Sequence, residues 1–128
     1  MATTQSGTAL EEARIAALAG LEKKAEHVVV LDLRSMNTYA DFLVLMTAGS
    51  DRQATAVADA VDDALRKAGH RPIGVEGTET GNWVLLDTGD VVVHIFQQDA
   101  REFYDVDRLW ADAPRIKVEE PPRPAAKP

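Results

Sequence analysis

The apolar positions of this chain change period along its length, and each change marks an element. From Thr8 onward Leu10, Ile15, Leu18, Leu21 and Ala25 recur every three to five residues, with Glu11 and Glu12 favouring a helix start. An amphipathic helix is expected there. His27–Leu33 is too short for a helix and rich in β-branched residues, so it reads as a strand. Arg34–Ala40 is polar and loop-like, and Asp41–Thr47 is a second strand. Gly49 then lets the chain turn, and Ser50 with Gln53 forms a capping box. Ala54, Val57, Ala58, Val61, Leu65 and Ala68 give the following helix one buried face, and Gly69 ends it. Arg71–Glu76 is a third strand, whose Pro72 confines its start to an edge or entry position. Asn82–Leu86 and Val91–Phe96 form a hairpin through Asp87-Thr88-Gly89-Asp90. A type I′ loop would force β-branched Thr88 to positive φ. A three-residue loop with Gly89 left-handed is the better expectation, with the register open. Asp99 caps a last helix carrying a stripe of Phe103, Val106 and Trp110, and Pro114 ends it.

The resulting order is α-β-β-α-β-β-β-α, an α/β arrangement with a mixed sheet of about five strands and helices packed on it. The strand-helix-strand unit over residues 41–76 predicts a right-handed crossover between parallel strands. The closing hairpin is antiparallel and apolar on both faces, so both faces should be covered. Residues 1–7 are small and polar and should be flexible. Residues 8–113 form one domain. Residues 114–128 are Pro-rich and read as a disordered or extended tail.

Composition narrows the functional classes. The 128 residues suffice for one core, with ordinary apolar (45%) and charged (27%) contents for a soluble protein. No apolar run is long enough to cross a bilayer, and the N-terminus lacks the pattern of a secretory signal. The lack of cysteine removes thiolate metal sites and disulfides, and the cytosol is the expected compartment. A net charge of -7 disfavours direct nucleic-acid binding and suits a basic protein partner. It also simply keeps a small domain soluble.

Candidate chemistry is sparse. Gly49-Ser50, between a strand and a helix, has the form of an anion-binding turn and of a nucleotidyltransferase signature. Such enzymes need paired carboxylates for metals, and Asp51 has no Asp-x-Asp partner on an adjacent strand. A helix cap explains the turn equally well. Asp87 and Asp90 flank a turn where Asp beside Gly is ordinary, although they are also placed to meet a partner or a cation. His27, His70 and His94 lack ligand spacing. His94 alone sits inside an apolar strand, as a structural or interface histidine. Trp83 is either core or an interface anchor. No cofactor and no metal are expected.

The most telling stretch is Asn82–Trp110, which holds both tryptophans and, with Trp83, Asp87, Asp90, His94, Arg101 and Tyr104, sets polar groups among valines and leucines. Leu45–Gln53 (LMTAGSDRQ), Gly74–Gly77 (GVEG), Trp83–His94 (WVLLDTGDVVVH) and Arg101–Trp110 (REFYDVDRLW) follow one another in an order that resembles the ribosomal silencing factor, or Iojap-related, family. The resemblance covers most of residues 28–110 and leaves out the tail. It implies a fold like that of nucleotidyltransferases without established catalytic carboxylates. It implies a non-enzymatic translational repressor that binds the large ribosomal subunit at its ribosomal protein fourteen. There it would block joining of the small subunit and lower translation when nutrients are short. It also implies possible homodimers. By the same resemblance Trp83, Asp87, Asp90, His94, Arg101 and Tyr104 lie on or support the contact face, while a core role for His94 or Tyr104 fits equally. The competing reading is a nucleotidyltransferase-like enzyme using the Gly49-Ser50 turn.

Overall fold

A computed structural model describes residues 2–36 and 38–118. Its first element, α1, spans Ala2–Glu22 and so begins ahead of the expected start at Thr8. A lone Gly7 costs a helix only about 1 kcal/mol, too little to stop it. The buried face of α1 is also not the predicted leucine stripe. Ala9, Ala13, Ala16 and Ala17 are fully buried, while Leu10 and Ile15 are half-buried at the flanks. Small side chains let the helix approach the sheet closely. A Cβ on Gly20 would lie 2.4 Å from Met46 Sδ.

Strands β1 (Glu26–Asp32) and β2 (Phe42–Ala48) follow, then α2 (Asp51–Lys67). The capping box forms at the start of α2, where Ser50 Oγ accepts from Gln53 N at 3.0 Å. The Gln53 amide does more than close the box. Its oxygen accepts from Gly49 N, and its nitrogen donates to the carbonyls of Lys23 and Lys24, tying the end of α1 to the start of α2. Ala54, Val57, Ala58, Val61 and Leu65 are buried as their spacing predicts, whereas Ala68 is exposed at the C-cap ahead of left-handed Gly69.

Strands β3 (Gly74–Glu76), β4 (Trp83–Asp87) and β5 (Val91–Gln97), helices α3 (Gln98–Tyr104) and α4 (Val106–Leu109), and β6 (Arg115–Ile116) complete the chain. The six strands form one sheet in the order β3-β4-β5-β2-β1-β6. It is mixed: β2 runs parallel to β5, and the other neighbours are antiparallel. The expected crossover joins parallel strands: β3 runs parallel to β2, but the hairpin strands β4 and β5 lie between them, so the parallel neighbour of β2 is β5. Strand β5 (VVVHIFQ) is buried on both faces except at its last residue, so it takes the centre; three-residue β3, entered through Pro72, takes the edge.

The sixth strand lies within the expected tail. Arg115 and Ile116 pair with Leu31 and Val30, and Ile116 and Val118 pack on the core. The remainder of that tail, residues 119–128, lies outside the described residues. The hairpin loop is also shorter than expected. With Asp87 opposite Val92 and Thr88 N donating to Val91 O at 3.0 Å, only Gly89 and Asp90 turn. Gly89, at φ +98°, holds the first central position, where type II′ loops place glycine.

One face of the sheet (Val30, Phe42, Val44, Met46, Val84, Leu86, Val93, Ile95) is covered by α1 and α2. Buried Glu12 of α1 fastens that layer, accepting from Thr88 Oγ1 at 2.8 Å and meeting His70 Nδ1 at 2.8 Å. The other face carries Leu31, Leu43, Leu45, Val92, His94 and Phe96, with Ala100 of α3 and Val106 of α4 against it. Helix α3 packs on β5 and β2, leaving Trp83, Leu85 and Asp87 of β4 half-buried.

Candidate functional site

The half-covered face brings together Trp83, His94 and Tyr104, with Asp87 further along it, whereas Arg101 and Asp90 make their contacts elsewhere. Alternation along β4 points Trp83, Leu85 and Asp87 to this face, and pairing sets Trp83 beside Phe96 and Leu85 beside His94. Trp83 Nε1 donates to His94 Nδ1 at 3.0 Å. The indole also lies 5.0 Å from the Phe96 ring and 4.4 Å from Tyr104, by ring centroids. His94 and Phe96 are stacked nearly parallel, 5.7 Å apart. Trp83, His94 and Tyr104 thus form one aromatic cluster. Phe96, which the sequence reading did not single out, is its floor.

His94 is only 6% exposed. Burial lowers its pKa from 6.5 to about 4, so the imidazole is neutral near pH 7. Because Nδ1 accepts from the indole, the proton sits on Nε2, and that buried atom has no hydrogen-bond partner among the described residues.

Arg101 is 9% exposed, and each of its three guanidinium nitrogens makes a hydrogen bond. Its Nε and Nη2 make a bidentate pair with Asp107 at 3.0 and 2.9 Å, while Nη1 donates to His27 O and Thr47 Oγ1, both at 2.8 Å. The guanidinium holds the Asp107 carboxyl below the ordinary carboxylate range. Two non-glycine residues in the left-handed region flank this clamp: His27 (φ 50°), at the β1 irregularity, and Asp105 (φ 52°). Asp105 divides the expected single helix into α3 and α4. The break changes the phase of the stripe, so Val106 is buried but Phe103 is 79% exposed. The N-cap of α3 is Gln97, with no side-chain cap bond, and Asp99 falls in the first turn instead.

The two turn carboxylates are separated in role. Asp87 Oδ1 accepts from Gly89 N at 2.7 Å, a local turn bond, and Asp87 also raises the Tyr39 pKa by its charge, after the larger effect of Tyr39's own desolvation. Asp90 is exposed, and its carbonyl accepts from Asp41 N and Phe42 N. Tyr39 lies 6.4 Å from the half-buried Trp110, adding two more aromatics; Tyr39 stood in a segment read only as a polar loop. Glu76, cross-strand from Leu85 at the sheet edge, is exposed. Half-buried aromatic and aliphatic surface with carboxylates beside it is chemically suited to an apolar contact with a basic partner.

At the Gly49-Ser50 turn the Ser50 hydroxyl caps α2, and the Asp51 carboxylate accepts from the Gln97 amide. Among the described residues, no group of three His, Cys, Asp or Glu side chains is placed to hold a metal ion. No described helix is long and apolar enough to cross a membrane.

The fold and this face define an α/β protein with an aromatic cluster on a mixed sheet. The comparisons refine that class. A family model described as "Ribosomal silencing factor during starvation" matches residues 6–128. Ribosomal silencing factor RsfS of Bacillus subtilis is 39% identical over 101 residues, covering 79% of this chain and 86% of the relative. The protein of that name from Haemophilus influenzae is 39% identical over 103 residues, covering 80% and 99%. The chloroplastic protein Iojap of Zea mays is 33% identical over 102 residues, covering 80% of this chain and 44% of the relative. A crystal structure of a Chromobacterium violaceum protein superposes with a TM-score of 0.77 at 34% identity, covering 93% of this chain and 96% of that one. The chain belongs to the ribosomal silencing factor family.

Proposed function

We propose that this protein represses translation by binding the large ribosomal subunit at its ribosomal protein fourteen and sterically blocking the small subunit. The observation that carries the reading is the Trp83 indole, half-buried and held by His94, Phe96 and Tyr104 on a face where Asp87 and Glu76 stand close by. A steric blocker needs such a preformed surface and no catalytic group. Trp83 is the apolar anchor, Tyr104 extends it, and Asp87 and Asp90 meet Lys or Arg of the partner. His94 and Arg101 are buried and act from beneath the surface: His94 against the indole, Arg101 by setting the α3–α4 elbow that carries Tyr104. The acidic charge speeds encounter with a basic ribosomal protein. The protein acts in the compartment of its ribosomes, as a monomer or homodimer.

Trp83→Ala should keep the fold and weaken large-subunit binding by about 2–4 kcal/mol. Co-sedimentation with purified large subunits measures this, and a folded variant that binds as well as the parent would refute the anchor. The same assay with small subunits added tests the block: the parent protein should lower the fraction of joined ribosomes in a dose-dependent way.

A further inference from the structure

The core strand β5 reads VVVHIFQ, and His94 is the polar residue within its buried run. Leu, Val or Phe would fill such a position without stranding a polar atom. The imidazole leaves one: among the described residues the buried Nε2 has no partner, which costs stability. What histidine supplies here and an aliphatic residue lacks is the acceptor at Nδ1, and that atom takes the Trp83 indole proton at 3.0 Å. The geometry around the indole is otherwise built from surfaces, Phe96 on one side and Tyr104 on another, which restrain the ring without fixing its rotation about the side-chain bonds. A hydrogen bond to a buried atom does fix it. The backbone is pinned as well, since a Cβ on Gly77 would lie 2.0 Å from Trp83 O, which places the β3–β4 connection directly against that residue.

We infer that His94 is a positioning residue for the docking surface, holding Trp83 through Nδ1 in the one orientation that the partner engages. This rests on the docking role of Trp83 proposed above. The partner never touches His94, which works by pre-organising the anchor so that its rotamer freedom is lost before binding and not during it. The stranded Nε2 is the stability given up for that order.

The test uses two substitutions in the full chain. His94→Leu removes the acceptor and the stranded donor together, and His94→Asn puts an amide oxygen near the place of Nδ1. His94→Leu should fold with a midpoint at neutral pH no lower than the parent's, yet bind large subunits about three- to tenfold more weakly. His94→Asn should bind within about twofold of the parent, whatever its stability. Nuclear magnetic resonance of the two indole N–H groups reads the contact without any ribosome. The Trp83 signal should be protected from exchange in the parent and in His94→Asn, and exchange fast in His94→Leu. Unchanged binding by His94→Leu with a fast-exchanging indole would overturn the inference while leaving the docking role intact. Equal losses in both variants would overturn it too, since the acceptor would then be irrelevant. Failure of the parent to bind large subunits would instead overturn the docking role on which the inference stands.

Discussion

Lowering the pH from about 7 to about 5 should destabilise this fold by about 2 kcal/mol through His94 alone. The imidazole takes up its proton at about 4 in the folded protein and at 6.5 when exposed, because burial penalises the charged form. Well above pH 6.5 both states are neutral and His94 contributes no pH dependence. Below it the unfolded chain binds the proton and the folded one does not, so stability falls as pH falls. The slope is about 1.4 kcal/mol per pH unit, saturating near about 3 kcal/mol once the folded protein also protonates. At about pH 5 the unfolded side chain is almost fully charged and the folded one roughly 10% charged, which gives the figure of about 2 kcal/mol. Protonation also turns Nδ1 from an acceptor into a donor facing the indole N–H, so the folded state gains nothing by accepting it. The assay is urea unfolding at constant ionic strength and several pH values, for the parent and for His94→Leu. Other groups cancel in the difference between the two proteins. Asp107 and Asp32, held low by Arg101 and Arg34, lose their contribution mainly below their ordinary value of 3.8, outside this window. Stability curves for the two proteins that run parallel from about pH 7 to about pH 5 would refute the buried, neutral histidine.

Two further outcomes follow from the backbone. Gly77→Ala should cost about 3 kcal/mol in chemical denaturation, because φ is +88° and the new Cβ would strike Trp83 O; a loss under about 1 kcal/mol would mean that the β3–β4 connection yields freely. A chain ended after Pro114 lacks β6 and the Ile116 and Val118 side chains, and should be about 2 kcal/mol less stable than a chain ended after Val118; thermal unfolding of the two truncations measures the difference, and equal stabilities would remove the contribution of β6.

Much of the architecture was legible in local pattern. The capping box at Ser50 and Gln53, the buried face of α2 and the edge position of the Pro72 strand need only a few neighbouring residues to be recognised. The errors share a different origin. The last helix read as continuous because Phe103, Val106 and Trp110 fall at helical spacing, yet Arg101 reaches across to His27 O, Thr47 and Asp107, and α3 ends in a left-handed residue beside that clamp. The leucine stripe of α1 gave way to alanines because the helix must approach Met46 and α2 closely. Arg115 and Ile116 joined the sheet because β1 offered them an unpaired edge, which no local composition reveals.

The site divides in the same way. The sequence by itself determined which residues carry the character of the surface: an indole, an imidazole and two aspartates set in an apolar hairpin, with a phenol on the helix that follows, in an order that identifies the family. Strand alternation even determined that Trp83, Leu85 and Asp87 share a face, since side chains on a strand repeat every second residue. Only the tertiary structure decided which of them are surface and which are support. His94 and Arg101 are as polar as the other candidate residues, but β5 lies at the sheet centre under α3 and β4 lies beyond its cover. Burial is a property of what packs against a strand from elsewhere in the chain, and that information is spread over residues as distant as His27, Thr47 and Asp107.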